Sequence, residues 1–290
     1  MLAAPWVAVS RCYAVQTRGY VIPMPDPLDL SGRVALVTGG ARGVGRGITE
    51  CLLDAGAEVV ICGRSTPDDL PTSSGAGAGG AGVRTAVFAQ GDVRDPEQVS
   101  AIIAKVIGAY GRLDILVNNA GGAPPADTAT ASPKFSTAIV SLNLIAPLIC
   151  SQQANAIMQN QPEGGCIINI ASVSATRPSP DTAAYGAAKA GLLNLTQTMA
   201  VEFAPKVRVN AVTAGMIRTE QSHLFYGDEE GIAAVGATVP LGRLGEPRDV
   251  ANACLFLASE LASYVSGANL LVHGGGEKPA FLEAAKNTTP

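Results

Sequence analysis

From Arg33 onward, short continuous runs of aliphatic and β-branched residues alternate with longer stretches whose apolar positions recur every three or four residues. The short runs fit strands buried on both faces, and the longer pattern fits helices laid over them. Such alternation is that of βαβ units and a parallel sheet. The pattern predicts strands at Val34–Thr38, Glu58–Cys62, Arg84–Ala89, Ile115–Asn118, Gly165–Ile170, Arg208–Val212 and Asn269–Val272, with helices at Val44–Ala55, Pro96–Tyr110, Ser136–Asn160, Thr182–Phe203 and Pro247–Ser259. Several helices open on Pro, Ser, Thr or Asp, as helix starts do. The expected fold is α/β: a doubly wound, seven-stranded parallel sheet with helices on both faces.

Four segments stand apart. Residues 1–27 read as an N-terminal tail: Arg11 follows the apolar stretch rather than preceding it, the wrong polarity for a secretory signal, while Arg11 and Arg18 without an acid before Asp26 faintly resemble a transit peptide and Met24 is an alternative start. Thr72–Gly82 (TSSGAGAGGAG) has no apolar anchor and is expected to be a mobile surface loop inside a single domain spanning 28–276. Arg218–Gly242 is too long for a turn and reads as a helical flap. Residues 277–290 read as a C-terminal tail.

Composition narrows the function. A net charge of −4 and a pI near 5.3 give no broad basic surface, so nucleic acid is not an expected partner. Two histidines and no Cys/His cluster leave no zinc site. Six cysteines without a CxxC point to a reducing, cytoplasmic setting. No run of about 18 apolar residues appears, so no membrane span is expected.

Candidate chemistry begins where the first strand of this pattern ends, at Thr38-Gly39-Gly40-Ala41-Arg42-Gly43-Val44-Gly45. Glycines between a strand and a helix let backbone N–H groups approach a pyrophosphate at the positive helix end. The TGxxxGxG spacing resembles the cofactor loop of short-chain dehydrogenases/reductases. Asn118-Asn119-Ala120-Gly121 and Asp92-Val93 match two further motifs of that family, and the likeness covers roughly Leu30 to Gly275. The resemblance implies a Rossmann-type fold and a nicotinamide cofactor held by Gly39, Arg42, Gly43, Val44, Gly45, Asp92, Val93, Asn119, Ala120 and Gly121. Asp92 would accept from the adenine amino group, with turn capping as the alternative. Where NAD-binding relatives place a carboxylate after the second strand, this chain has Gly63-Arg64. Arg64 and Arg42 suit a 2′-phosphate, so NADP(H) is favoured and NAD(H) possible.

Tyr185-Gly186-Ala187-Ala188-Lys189 sets a phenol and an ammonium one helical turn apart. A nearby positive charge is expected to favour the ionised phenol and equip Tyr185 for proton exchange with a substrate oxygen. Ser172, with Ser174 as a competitor, matches the family's serine that hydrogen-bonds the reacting oxygen. Asn143 matches its water-holding asparagine. One departure is Thr213-Ala214-Gly215-Met216-Ile217-Arg218-Thr219, where the family usually has Pro-Gly; Ala214 lacks proline's fixed φ, while Ile217 and Thr219 still suit the nicotinamide.

Met216, Leu224, Phe225 and Tyr226 either line a partly apolar pocket or pack the flap. The implied function is hydride transfer to or from a small secondary alcohol or ketone. Reduction of 3-oxoacyl thioesters on an acyl carrier protein is an alternative: Glu163 without a Lys or Arg in Ala156–Gly165 speaks against an acidic partner, and Lys206 for it. A catalytically silent nucleotide-binding or scaffolding relative is another. The helices Ser136–Asn160 and Thr182–Phe203 resemble the family's tetramer interface, so a homo-oligomer, dimer or tetramer, is expected.

Overall fold

The computed structural model describes residues 13–17, 20–24, 26–75 and 82–282. Within the expected N-terminal tail it has a small antiparallel hairpin, β1 (Tyr13–Thr17) and β2 (Tyr20–Met24), outside the main sheet. The main sheet contains β3 (Val34–Thr38), β4 (Glu58–Gly63), β5 (Val87–Gln90), β6 (Ile115–Asn118), β7 (Gly165–Ser172), β8 (Val207–Ala214) and β9 (Asn269–Val272). All its pairings are parallel, in the order β5-β4-β3-β6-β7-β8-β9. The winding reverses between β3 and β6, and a crevice opens beyond the carboxyl ends of strands at such a reversal.

Side chains alternate across the sheet as strand geometry requires. Ala35 and Val37 enter the core beneath α1 (Gly43–Asp54) and α8 (Pro247–Ala258), whereas Val34 and Leu36 enter the core beneath α2 (Pro96–Tyr110), α4 (Ala146–Met158) and α5 (Ala183–Glu202). Gly47 lets α1 and α8 touch, since a Cβ there would come within 2.6 Å of the Pro247 Cβ. A polar seam crosses the second core: Asn118 Nδ2 donates to Ser151 Oγ (3.0 Å) and Asn169 Oδ1 (2.9 Å), and Asn169 Nδ2 donates to Thr196 Oγ1 (2.9 Å). It binds β6 and β7 to α4 and α5, and within it Asn118 Oδ1 has no partner among the described residues.

Three elements depart from the sequence pattern. Arg84–Ala86 do not join the sheet. They form the stem of a hairpin in which Thr85 pairs antiparallel with Thr72, and Ser73 N donates to the Arg84 carbonyl at 2.8 Å. The Thr72–Gly82 loop is therefore anchored at its base, with Ser73 buried; its centre, 76–81, lies outside the described residues. The helix expected over Ser136–Asn160 is α3 (Pro133–Val140), one π-helical turn (Ser141–Ile145) and α4. The span Pro133–Met158 is long and apolar enough, by length and composition, to cross a membrane. Its Ala146, Cys150, Ala154 and Met158 are nevertheless buried in the core. Finally, β7 and β8 each run two residues further than expected, to Ser172 and Ala214.

Candidate active site

Beyond Thr38 the chain turns through Gly39 and Gly43, both left-handed (φ +64° and +53°), conformations glycine adopts without strain. A Cβ on Gly45 would collide with the Gly39 carbonyl oxygen and Asn119 Nδ2, so the turn closes only around glycine. Val44 packs half-buried on the first core. Arg42 precedes α1 in extended conformation, and no side chain caps the first N–H groups of that helix. Uncapped N–H groups at the positive end of a helix suit an anionic group.

The turn is braced from β6. Asn119 Nδ2 donates to the Thr38 and Gly39 carbonyls at 2.9 and 3.1 Å, and Thr38 Oγ1 accepts from the N–H groups of Asn119 and Ala120 at 3.0 Å each. The Asn119 side chain thus holds the turn's shape. Thr38, the opening residue of the TGxxxGxG motif, makes the matching contacts, a bracing role that the motif alone does not assign.

Arg42, just before α1, and Arg64, just after β4, are exposed, and neither forms a salt bridge among the described residues. Asp92 is less free than expected. Both its oxygens take the Arg94 Nε (3.0 and 3.1 Å), Oδ1 also accepts the Arg94 N–H, and the Arg94 guanidinium holds the carboxyl below the usual carboxylate range. The turn-bracing alternative is the arrangement present, while Val93 beside it is buried in the second core.

Asn143, fully buried on the π-turn, receives the Gly122 N–H on Oδ1 (2.9 Å) and donates through Nδ2 to the carbonyls of Gly122 (3.0 Å) and Ile139 (2.9 Å). Four residues on, Pro147 has no N–H to offer the Asn143 carbonyl. Proline was the readable signal for the helix interruption. Gly121 lies between the two polar groups: a Cβ there would come within 2.7 Å of Asn143 Oδ1 and 3.3 Å of Lys189 Nζ.

Ser172 ends β7; its Oγ accepts the Ser174 N–H at 3.2 Å and lies near enough to the Tyr185 hydroxyl to favour its ionised form. The Ser174 hydroxyl is instead taken by Ser179 Oγ at 3.1 Å, which separates the two candidate serines. Lys189, 3% exposed, donates from Nζ to the Ile170 carbonyl at 2.7 Å and lies 5.7 Å from the Tyr185 ring centroid. The electrostatics correct the sequence expectation. Burial pushes the Tyr185 phenol up, with the nearby Ser172 hydroxyl offsetting part of the rise, and burial pushes Lys189 down to about 8. Withdrawal of both groups from water outweighs any gain of the phenolate from the ammonium.

Ala214 costs the next loop no order. It is paired with both Ser172 and Val272 in the sheet, and Gly215 N donates to the Val272 carbonyl at 2.9 Å. Gly245 N then donates to the Met216 carbonyl and Arg218 N to the Gly245 carbonyl, which leaves the Ile217 N–H and C=O unpartnered among the described residues. Thr219 rests its methyl against Gly43 at the start of α1. The flap is helical as expected, in α6 (His223–Tyr226) and α7 (Glu229–Thr238). Leu224 and Phe225 are 66% and 58% exposed, so they neither pack the flap nor line a closed pocket. A cavity of about 570 Å³ lies behind the flap against α1 and α8, with Thr219, His223 and Pro247 in its wall. A smaller one of about 40 Å³ touches Tyr185, walled by Pro124, Phe135, Ile139 and Asp181. Asp181 is left-handed (φ +60°) and its carbonyl takes the Ala126 N–H at 2.7 Å, which sets the loop over that cavity.

A family profile described as enoyl-(acyl carrier protein) reductase matches residues 39–277. The chain is 38% identical to a 3α-hydroxysteroid dehydrogenase of Mediterraneibacter gnavus, over 84% of this chain and 97% of that protein. It is 35% identical to the 3-oxoacyl-[acyl-carrier-protein] reductase of Escherichia coli, over 86% and 98%. Among solved structures, the ligand-free aldohexose dehydrogenase of Thermoplasma acidophilum superposes with a TM-score of 0.76 at 31% identity, covering 85% of this chain and 94% of that one.

Proposed function

The chain belongs to the short-chain dehydrogenase/reductase family of NAD(P)-dependent oxidoreductases that act on alcohol and carbonyl groups, and from that premise we propose an NADP(H)-preferring enzyme working on a small secondary alcohol or ketone. The residues present fit the cofactor. The uncapped start of α1 and the turn at Gly39, Gly43, Val44 and Gly45 suit a pyrophosphate. The free backbone of Ile217, with Thr219 and the backbone of Asn119, Ala120 and Gly121, suits the nicotinamide end. The unpaired Arg42 and Arg64 suit a 2′-phosphate, and Asp92 and Val93 edge the adenine side. When bound, the nicotinamide supplies or receives the hydride.

On this reading Ser172 and Tyr185 hold the substrate oxygen, and Tyr185 passes its proton to it during reduction. The raised Tyr185 pKa keeps the phenol protonated at neutral pH, the state that can donate. The Lys189 ammonium, fixed on the Ile170 carbonyl, stabilises the phenolate left behind. Asn143 shapes the path that reprotonates Tyr185, its carbonyl denied the Pro147 N–H that an uninterrupted α-helix would supply. The observation that carries the reading is the buried Lys189, held on the Ile170 carbonyl at 2.7 Å and 5.7 Å from the Tyr185 ring, with Ser172 at the strand end beside them.

The test is NADPH oxidation over ketones, diketones, quinones and acyl thioesters, alongside NADH and Tyr185→Phe. The variant should lose roughly 100- to 10,000-fold in turnover while still binding NADPH. Equal turnover by the variant would remove the mechanism, and NADPH binding without turnover of any carbonyl would favour the silent relative. Better use of NADH would remove the role given to Arg64.

Similarity to the Escherichia coli reductase keeps 3-oxoacyl thioesters as a second reading, which the acyl-thioester arm separates. The earlier arguments from Glu163 and Lys206 lose their force. Both lie at the amino ends of β7 and β8, opposite Tyr185, where Glu163 meets Arg112 and Lys206 binds the Gln159 and Gln161 carbonyls. Self-association into a dimer or tetramer is supported by Ile145 and Val201, 42% and 79% exposed on the π-turn and α5. A cytoplasmic setting is supported by the free buried thiols of Cys51, Cys62, Cys150, Cys166 and Cys254; Cys12 lies outside the described residues.

A further inference from the structure

The loop joining Ser172 to Tyr185 begins and ends at the groups that hold the reacting oxygen on the reading above, and its Asp181 and Thr182 wall the small cavity at Tyr185. That segment, VSATRPSPDTAA, carries one basic residue, Arg177, and one acidic one, Asp181. Asp181 is engaged through its carbonyl with Ala126. Arg177 reaches outward: Nη2 meets Glu277 Oε1 at 2.6 Å, and Nη1 donates to the Pro178 carbonyl at 2.9 Å. Tyr226 of α6 is close enough for its phenol to feel both charges. Loop, flap and C-terminal segment therefore converge at one guanidinium.

Glu277 is brought there by its backbone. Gly274, Gly275 and Gly276 are all left-handed (φ +65°, +96° and +85°), and a Cβ on Gly274 or Gly275 would come within 3 Å of Val239 or Pro240 at the end of the flap. The chain leaves β9 through this run and presents Glu277 immediately afterwards. The side chains of Arg177 and Glu277 are 36% and 42% exposed. Ion pairs that exposed to water are weak, so exchanging one carboxylate for another costs little. Arginine also offers a planar fork that carboxylates fill well.

We propose that Arg177 determines substrate choice: it binds a carboxylate borne by the carbonyl substrate, and Glu277 occupies that place at rest. The substrate class is then an oxo acid, or the hydroxy acid in reverse. A carboxylate is preferred over other anions because a carboxylate already fits the position at 2.6 Å. The inference rests on the oxidoreductase reading and deepens it.

The test uses pairs of oxo acids and their ethyl esters, with the carbonyl and carboxyl separated by increasing numbers of carbons. Each is assayed with NADPH against the wild type, Arg177→Met and Glu277→Gln, with thermal melting to confirm folding. Both positions are at the surface, so both variants should fold. At the best spacing the wild type should prefer acid over ester. Arg177→Met should raise KM for the acid about tenfold while leaving its kcat, and both constants for the ester, within twofold. Glu277→Gln should lower KM for the acid several-fold. Equal use of acid and ester, or an Arg177→Met defect common to both, overturns the proposal. If no carbonyl compound is reduced, the oxidoreductase reading is what fails. Calorimetric titration of the oxo acids into the NADPH-loaded wild type and Arg177→Met then decides the anion site: binding lost in the variant supports it, and equal or absent binding in both overturns it.

Discussion

At the carboxyl tips of the sheet, Asn143 and Lys189 are 0% and 3% exposed, and each donates to a backbone carbonyl within 3.0 Å. On the overhanging rim, Arg177 and Arg218 meet Glu277 and Glu229 with a third or more of each side chain in water. The difference is one of exchangeability. A buried donor removed from its acceptor leaves an unmet polar group costing about 1–3 kcal/mol, whereas an exposed pair can open for almost nothing. On the proposed reading, the reaction falls to groups that cannot move and recognition to groups that can.

Four substitutions probe that contrast. Lys189→Met should have the largest effect, lowering turnover about a hundredfold or more. In the wild type, reduction should fall as pH rises through about 8, where Lys189 loses its proton. Stability has the opposite sign. A lysine lowered to about 8 from 10.5 binds fewer protons folded than unfolded between those values, so its contribution to stability rises with pH across that window. Below pH 8 this costs up to about 3 kcal/mol, which Lys189→Met recovers while leaving the Ile170 carbonyl unmet at a cost of about 1–3 kcal/mol, so the variant should melt within a few degrees of the wild type at pH 7 and lose that rise. A wild type that gains no melting temperature on the variant across that window would mean that the tips give up no stability for chemistry.

Gly121→Ala should cost about tenfold in kcat with little change in KM for NADPH, because its methyl group enters the space between Asn143 and Lys189. Normal kcat would show that the tip tolerates displacement. Arg64→Gln, on the rim, should raise KM for NADPH roughly five- to tenfold and leave NADH within twofold; equal shifts for both cofactors would deny Arg64 a phosphate. Arg218→Ala should be smallest, within about 0.5 kcal/mol in stability and twofold in activity, measured by melting and steady-state rates. A tenfold loss there would end the distinction between tip and rim.

Legibility in the sequence followed the same division. Val34–Thr38 and Ile115–Asn118 were readable to the residue, because strands buried on both faces leave continuous apolar runs, and Asn269–Val272, an edge strand, was readable from its short apolar run. Ser172, Tyr185 and Lys189 were readable because one strand end and one helical turn fix their spacing. The π-turn was not: Leu142 to Leu148 keep a helical pattern, and only Pro147 marks the break. Arg84–Ala86 carry strand residues but find partners in Thr72 and Ser73 before the sheet can take them. The pairing of Arg177 with Glu277 joins positions far apart in sequence, and nothing local to either names the other.

The strand order also bears on how the chain is made. β3 is the first strand of the main sheet and lies in its interior, third from one edge; β4 and β5 complete one wing before β6 is translated. Thereafter β6, β7, β8 and β9 each add to the strand synthesised just before them, except that β6 returns to β3. Every new strand leaving the ribosome therefore meets a partner already in place, and the growing sheet always shows one unpaired parallel edge on the side still to be built. The last strand of the sheet to be made is β9, four residues long with Leu271 half exposed, so the last edge left open is also one of the shortest.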